Sequence, residues 1–96
     1  MSEQIGTPVR DLQTPVLLID LDVMEENLKK MASNFQNSLI NLRPHSKTHK
    51  SPLIAKKQIE MGAIGICCQK VSEAEVMQED GIENILLSSE IVSPAK

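Results

Sequence analysis

Apolar positions along this chain fall into short runs that alternate with helix-like stripes. Residues 15–21 (Pro-Val-Leu-Leu-Ile-Asp-Leu) form an apolar, β-branched run of strand length. Beyond it, Met24, Leu28, Met31 and Phe35 recur at spacings of four, three and four, while Glu25, Glu26, Lys29 and Lys30 fall mostly on other faces. That spacing predicts an amphipathic helix, with Asp22 as its N-cap and Glu25 completing a capping box. Asn37 and Ser38 break the stripe, and residues 39–49 predict the next strand. Ser51-Pro52 then predicts a helix start, because serine caps and proline at the first helical position loses no hydrogen bond. This helix is expected to run through Ile54, Ala55 and Ile59 and stop near Met61-Gly62. Residues 63–71 predict a strand, Ser72 and Glu75 a second capping box, Gly81 the end of a short helix, and residues 82–89 a last strand. Residues 1–14 read as an irregular lead-in, and residues 90–96 trail off past Pro94.

The resulting order of strand, helix, strand, helix, strand, helix, strand argues for βα units around a parallel sheet. An internal repeat supports this: Gly62 and Gly81, nineteen residues apart, each precede an apolar strand-like run. Repeats of this length suit a (β/α)8 barrel or an open doubly wound sheet. There is no GxGxxG or P-loop pattern, which weighs against the nucleotide-binding versions. Each of the later strands turns polar at its end, at Lys47-Thr48-His49, Gln69-Lys70 and Ser88-Ser89-Glu90. Ligands bind at that end in parallel α/β folds, although strand ends are also polar simply because loops begin there.

Composition narrows the picture. Ninety-six residues allow one small domain, and with Phe35 as the single aromatic residue, aliphatic side chains and methionine must fill its core. Met24, Met31, Met61 and Met77 are the expected fillers. A net charge of −3 points to neither nucleic acid nor an anionic membrane as partner. Cys67 and Cys68 are adjacent, so in a strand they point to opposite faces and are expected to be buried thiols of a reducing compartment, with metal binding a distant alternative. The first ten residues carry no apolar signal-peptide core, and no run approaches a membrane span. The expectation is a cytoplasmic protein.

Residues 42–50 (Leu-Arg-Pro-His-Ser-Lys-Thr-His-Lys) hold the candidate chemistry. If the run is a strand as far as His49, alternation puts His45, Lys47 and His49 on one face, with Ser46 and Thr48 on the other. Facing a barrel interior, Lys47 would be partly desolvated beside two imidazoles, and both effects favour a neutral amine. Such an amine can join an aldehyde cofactor such as pyridoxal phosphate. A solvated basic loop accounts for the same residues, and the pattern alone leaves both open. His45 and His49 have the four-residue spacing of zinc ligands on a helix, but Pro44 disfavours a helix there and no glutamate lies between them. Supporting roles beside a cofactor suit them better. Arg43 and Lys50 are expected as solvent-exposed charges or phosphate-side cations. Gln69 is either a ligand-binding amide or structural. Asp22 is explained by capping, and Asp20 has no evident partner.

Arg43-Pro44-His45-Ser46-Lys47-Thr48-His49-Lys50 resembles the Arg-Pro-His-x-Lys-Thr-His-Lys motif of the D-serine dehydratase and D-threonine aldolase family. These are alanine-racemase-like pyridoxal-phosphate enzymes of fold type III. Residues 14–20 resemble the family's opening strand, residues 61–76 its second barrel strand and following helix, and residues 81–87 its third strand. The resemblance implies a partial (β/α)8 TIM barrel over residues 15–96. It would comprise about three βα units, plus an N-terminal strand that pairs with a C-terminal β-domain outside this chain. It implies that Lys47 carries pyridoxal 5'-phosphate, with His45, His49 and Gln69 near the cofactor. The substrate is then a small D-β-hydroxy amino acid, which loses its Cα proton and β-hydroxyl or is cleaved at Cα–Cβ. A divalent metal, zinc or manganese, would have its ligands outside this chain, and the full-length parent would be a homodimer. On this reading the chain is an N-terminal fragment with little or no activity alone. The alternatives are a non-catalytic pyridoxal-phosphate homeostasis protein of the same fold type, or a truncated module without chemistry.

Overall fold

Strand pairing is parallel and follows the order of the chain. The computed structural model describes residues 5–96. In it, β1 (Ile66–Cys68) lies beside β2 (Ile85–Leu87), with Ile66 opposite Ile85 and Cys68 opposite Leu87. On the other edge of β1, His45 forms a parallel bridge to Cys67. The Cys67 N–H donates to the Pro44 carbonyl at 2.8 Å, and the Ser46 N–H donates to the Cys67 carbonyl at 2.9 Å. Three chain segments thus run the same way, each reached from the last through a helix, as parallel pairing requires. The chain is an α/β protein with a small parallel sheet.

Helix α1 spans Leu21–Ser33, α2 spans Pro52–Glu60 and α3 spans Val71–Glu79. Helix α2 starts as its sequence predicts: the Ser51 hydroxyl accepts the Ile54 N–H at 3.3 Å and Pro52 opens the first turn. Helices α2 and α3 end alike. Gly62 (φ 116°) and Gly81 (φ 96°) take the positive φ that a Cβ disfavours. Ala63 N–H then reaches back to the Gln58 carbonyl, and Ile82 N–H to the Met77 carbonyl, both at 3.1 Å. Each is a Schellman stop, and the residue after each glycine, Ala63 or Ile82, is buried. The core between sheet and helices is Ala55, Ile66, Cys68, Met77 and Ile82, with Ile59, Ala74, Ile85 and Leu87 packed against it. Fully burying Ile66 and Met77 contributes about 1.5–3 kcal/mol each.

Several expectations are corrected. Residues 16–20 join no strand among the described residues. Helix α1 begins two residues earlier than predicted, because Asp20 Oδ1 accepts the Val23 N–H at 3.2 Å and is therefore the N-cap; Asp22 lies in the first turn. The helix ends at Ser33, leaving Phe35 in the turn that follows, and Asn37 (φ 58°) breaks the chain direction as expected. Met31 is half exposed, while Met77 is core. Helix α3 is capped by Lys70 with no side-chain bond, so Ser72 lies inside the helix. The acidic partner is Glu73, whose carboxylate accepts the Gln69 N–H at 3.3 Å. Of the strand expected over residues 39–49, only His45 is paired, and residues 47–49 form a turn. Residues 1–4 of the lead-in lie outside the described residues, and Val9–Asp11 within it forms one 3-10 turn. No helix among the described residues is long and apolar enough to cross a membrane.

Candidate functional site

Because the three parallel segments end on the same edge of the sheet, Lys47, Gln69 and Ser88 all lie at or just past that rim. Lys47 is exposed and sits in the turn, not in a strand flanked by buried imidazoles. Ser46 sets that geometry. Its N–H is fixed to Cys67, its carbonyl accepts the Lys50 N–H at 2.8 Å, and Lys50 closes the turn with a φ of 50°. Its hydroxyl, fully buried, donates to Glu73 Oε1 at 2.7 Å. That leaves Ser46 Oγ as an acceptor for the Cys68 thiol 3.4 Å away. Burial pushes the Cys68 thiol up, which keeps its proton in place for this role; the Ser46 bond opposes the shift and the Glu73 charge adds to it.

The two histidines diverge. His45 Nδ1 accepts the Lys47 N–H at 3.2 Å, so a neutral ring carries its proton on Nε2, 3.5 Å from Ser88 Oγ. His45 therefore belongs with Lys47 and Ser88. His49 turns towards α2: its Nδ1 accepts the Ser51 N–H at 2.9 Å, and its Nε2 meets Gln58 Oε1 at 3.3 Å. Burial holds the His49 pKa below its ordinary value, against the opposing pull of the Gln58 bond and the Glu73 charge. Gln69 is exposed in the bend after β1 and lines a groove with Lys70, Ser72 and Ser89 that Lys47 and His45 do not reach. The structure thus gathers Lys47 and His45, and sets His49 and Gln69 apart from them.

Sequence reasoning missed Glu73 and the structural roles of Ser46 and Arg43. Glu73 is buried yet charged: burial alone would raise its pKa, but bonds from Ser46 and the Gln69 N–H, with the His45 and Lys50 charges, hold it below the carboxylate norm. Its signal was available, since alternation puts Ser46 on the opposite face from Lys47 and Glu73 lies in the first turn of α3. Arg43, expected as an exposed charge or phosphate-side cation, instead donates to the carbonyls of Ile66 (3.1 Å) and Asn84 (3.4 Å). Gly65 makes room for it: a Cβ there would overlap the Asn84 carbonyl and the Arg43 guanidinium.

The residues present fit pyridoxal phosphate in one respect. Lys47 offers an exposed primary amine that, among the described residues, pairs with no carboxylate, whereas Lys56 and Lys57 are held by Asp80 and Glu25. Among the described residues no three His, Cys, Asp or Glu side chains group to hold a metal ion.

No family model matches the chain. It is, however, 47% identical over 93 residues to the D-threonine aldolase of Arthrobacter sp, a match covering 97% of this chain and 24% of that protein. The crystal structure of D-threonine aldolase from Filomicrobium marinum superposes with a TM-score of 0.87 at 51% identity, covering 92% of this chain and 24% of that one. D-threo-3-hydroxyaspartate dehydratase from Delftia sp. HT23 follows at a TM-score of 0.80 and 36% identity, covering 85% and 22%. The class shared by these proteins is that of lyases acting on hydroxy-D-amino acids. The chain belongs to the family of D-threonine aldolase and D-threo-3-hydroxyaspartate dehydratase, corresponds to its N-terminal part, and spans about a quarter of the length of the relatives it matches.

Proposed function

We propose that this chain carries the cofactor lysine, Lys47, of a pyridoxal-phosphate-dependent lyase acting on D-β-hydroxy amino acids. Residues 15–96 would form the first part of an alanine-racemase-type (β/α)8 barrel. The observation that carries this reading is the exposed Lys47 amine, at the C-terminal rim of parallel segments, in a chain 47% identical to a D-threonine aldolase. Bound pyridoxal phosphate supplies an electron sink for the charge that develops at the substrate Cα.

The chain's own residues have separate tasks. Lys47 Nζ holds the cofactor's aldehyde end and, when released from it, is a primary amine able to take a proton at the same rim. His45 accepts the Lys47 backbone N–H and so orients the start of the turn, while its Nε2 faces Ser88 Oγ. His49 acts from behind, bracing the turn against Ser51 and Gln58. Gln69 lies at the neighbouring strand end, apart from Lys47, with its backbone N–H held by Glu73. A divalent metal, where the full enzyme uses one, takes its ligands from outside this chain, and the parent enzyme works as a homodimer on a small D-amino acid.

Because the chain matches about a quarter of its relatives, the 96-residue protein is expected to bind the aldehyde at Lys47 yet turn over little or no D-threonine or D-serine. Incubation with pyridoxal phosphate, borohydride reduction and peptide mass mapping tests this. An adduct concentrated on Lys47 and absent from Lys47→Ala is the expected result. An adduct spread evenly over the lysines would overturn the cofactor assignment, and robust turnover with added zinc or manganese would overturn the inactivity of the isolated chain.

A further inference from the structure

Glu73 has no place in the chemistry just described, yet it is the buried carboxylate closest in structure to the turn that carries Lys47. One oxygen, Oε1, accepts both the Ser46 hydroxyl (2.7 Å) and the Gln69 backbone N–H (3.3 Å). Ser46 precedes Lys47, and Gln69 follows β1, so one carboxylate ties together the ends of two neighbouring parallel segments. Ser46 has no slack left. Its N–H bonds to Cys67, its carbonyl to the Lys50 N–H, and its hydroxyl to Glu73, with the Cys67 carbonyl (3.2 Å) and the Cys68 thiol also within reach of that hydroxyl. Glu73 itself is fixed in the first turn of α3, where a negative charge is favoured by the helix N-terminus. A charge-assisted bond to a buried, fully engaged serine is a rigid strut, since any movement of the turn must break it without water to replace it.

We infer that Glu73 is a positioning residue: through Ser46 and the Gln69 amide it fixes the exit direction of Lys47 relative to the adjacent strand end, and so selects Lys47 among the chain's lysines for the aldehyde cofactor. This rests on the proposed role of Lys47. Glu73 touches neither cofactor nor substrate in this scheme; it acts by holding the backbone on either side of the rim. Lys50, three residues beyond Lys47 and also exposed, is the natural competitor once the turn is loosened.

The test compares the full 96-residue wild type with Glu73→Gln, Glu73→Ala and Ser46→Ala in two measurements. The first is amide hydrogen exchange at Lys50 and Gln69, which needs no cofactor. The second is the distribution of borohydride-trapped pyridoxal phosphate between Lys47 and Lys50. Glu73→Ala and Ser46→Ala are expected to speed exchange at Lys50 by about tenfold and to move label from Lys47 towards Lys50. Glu73→Gln keeps an oxygen acceptor but loses the charge, and is expected to fall between wild type and Glu73→Ala in both. A purely structural role would lower the melting temperature of the variants while leaving the Lys47-to-Lys50 ratio unchanged, and that result overturns the inference. Should Glu73→Ala fail to fold, Ser46→Ala carries the comparison, since it removes one hydroxyl and leaves the carboxylate its Gln69 bond. Unselective labelling of the wild type would overturn the role of Lys47 instead. Unchanged Lys50 and Gln69 exchange in Ser46→Ala and Glu73→Ala would overturn the strut whatever the label does.

Discussion

The N-terminal apolar stretch and the two later βα units carry comparably apolar sequence and meet opposite surroundings. Leu17 is 96% exposed and Ile19 59%, whereas Ile66 and Cys68 are fully buried. Helix α1, with the clearest amphipathic stripe in the chain, buries no residue, while the weakly amphipathic α3 buries Glu73 and Met77. Periodicity therefore announces an element, but burial needs an opposing surface at the right place. In the βα units each helix stop delivers the next strand against the previous one. Along residues 16–33 the apolar side meets a groove of about 590 Å³, shared with Leu42 and Pro44, and one ion pair, Glu25 to Lys57 at 2.7 Å.

The sharpest way to break this comparison is to shorten one side chain in each region. Met77→Ala is expected to cost about 2–5 kcal/mol in urea unfolding, and Leu17→Ala less than about 0.5 kcal/mol. Equal losses would show that the N-terminal stretch is part of the same cooperative core. Gly65→Ala comes next, at about 1–3 kcal/mol, because the added methyl must displace the Asn84 carbonyl or the Arg43 guanidinium. Asp20→Ala should cost about 1 kcal/mol, visible as lost helicity in α1 with the core transition unmoved.

Acid sharpens the contrast further, since its buried targets lie on the βα side and in the turn, whereas on α1 the Lys57 bond lowers the pKa of only the partly exposed Glu25. His49 and Glu73 both have folded pKa values below their ordinary ones, so the unfolded chain binds protons more readily. Their stabilisation is complete above the unfolded pKa and is lost as pH falls, from about 6.5 downwards for His49 and from about 4.3 downwards for Glu73. Urea midpoints measured across pH 7.5 to 3 should fall in those two windows, and His49→Gln should flatten the upper one. The smallest effect is expected for Lys57→Gln, which loosens α1 from α2 only slightly, and less so at high salt, because both partners of this ion pair remain partly open to solvent.

Much of the fold was legible where local chemistry acts alone. Ser51-Pro52, Gly62 and Gly81 did what a cap, a first-turn proline and two left-handed stops must do, whatever surrounds them. The parallel order followed from the helices between the strands. What failed depended on competition. Asp20 and Asp22 are both capable caps, and only the backbone path decides between them. The strand through His45 stopped early because Ser46 found partners in Cys67, Lys50 and Glu73, which lie in three other places along the chain. The site was legible as a location, the polar rim with Lys47, but not as an arrangement. Strand alternation aimed His49 alongside Lys47, and the turn sent it to Gln58 instead.

The nineteen-residue spacing of the two glycine stops has a kinetic side. Ile66 meets Ile85, and His45 meets Cys67, so each sheet pairing among the described residues closes a chain segment of about twenty residues. Closing loops of that size is fast, and pairings this local lower the barrier that long-range β contacts normally impose. Each unit can therefore settle against its predecessor as soon as its own helix and strand have been synthesised. The scaffold behind Lys47 is in this sense assembled early, from its nearest neighbours in the chain.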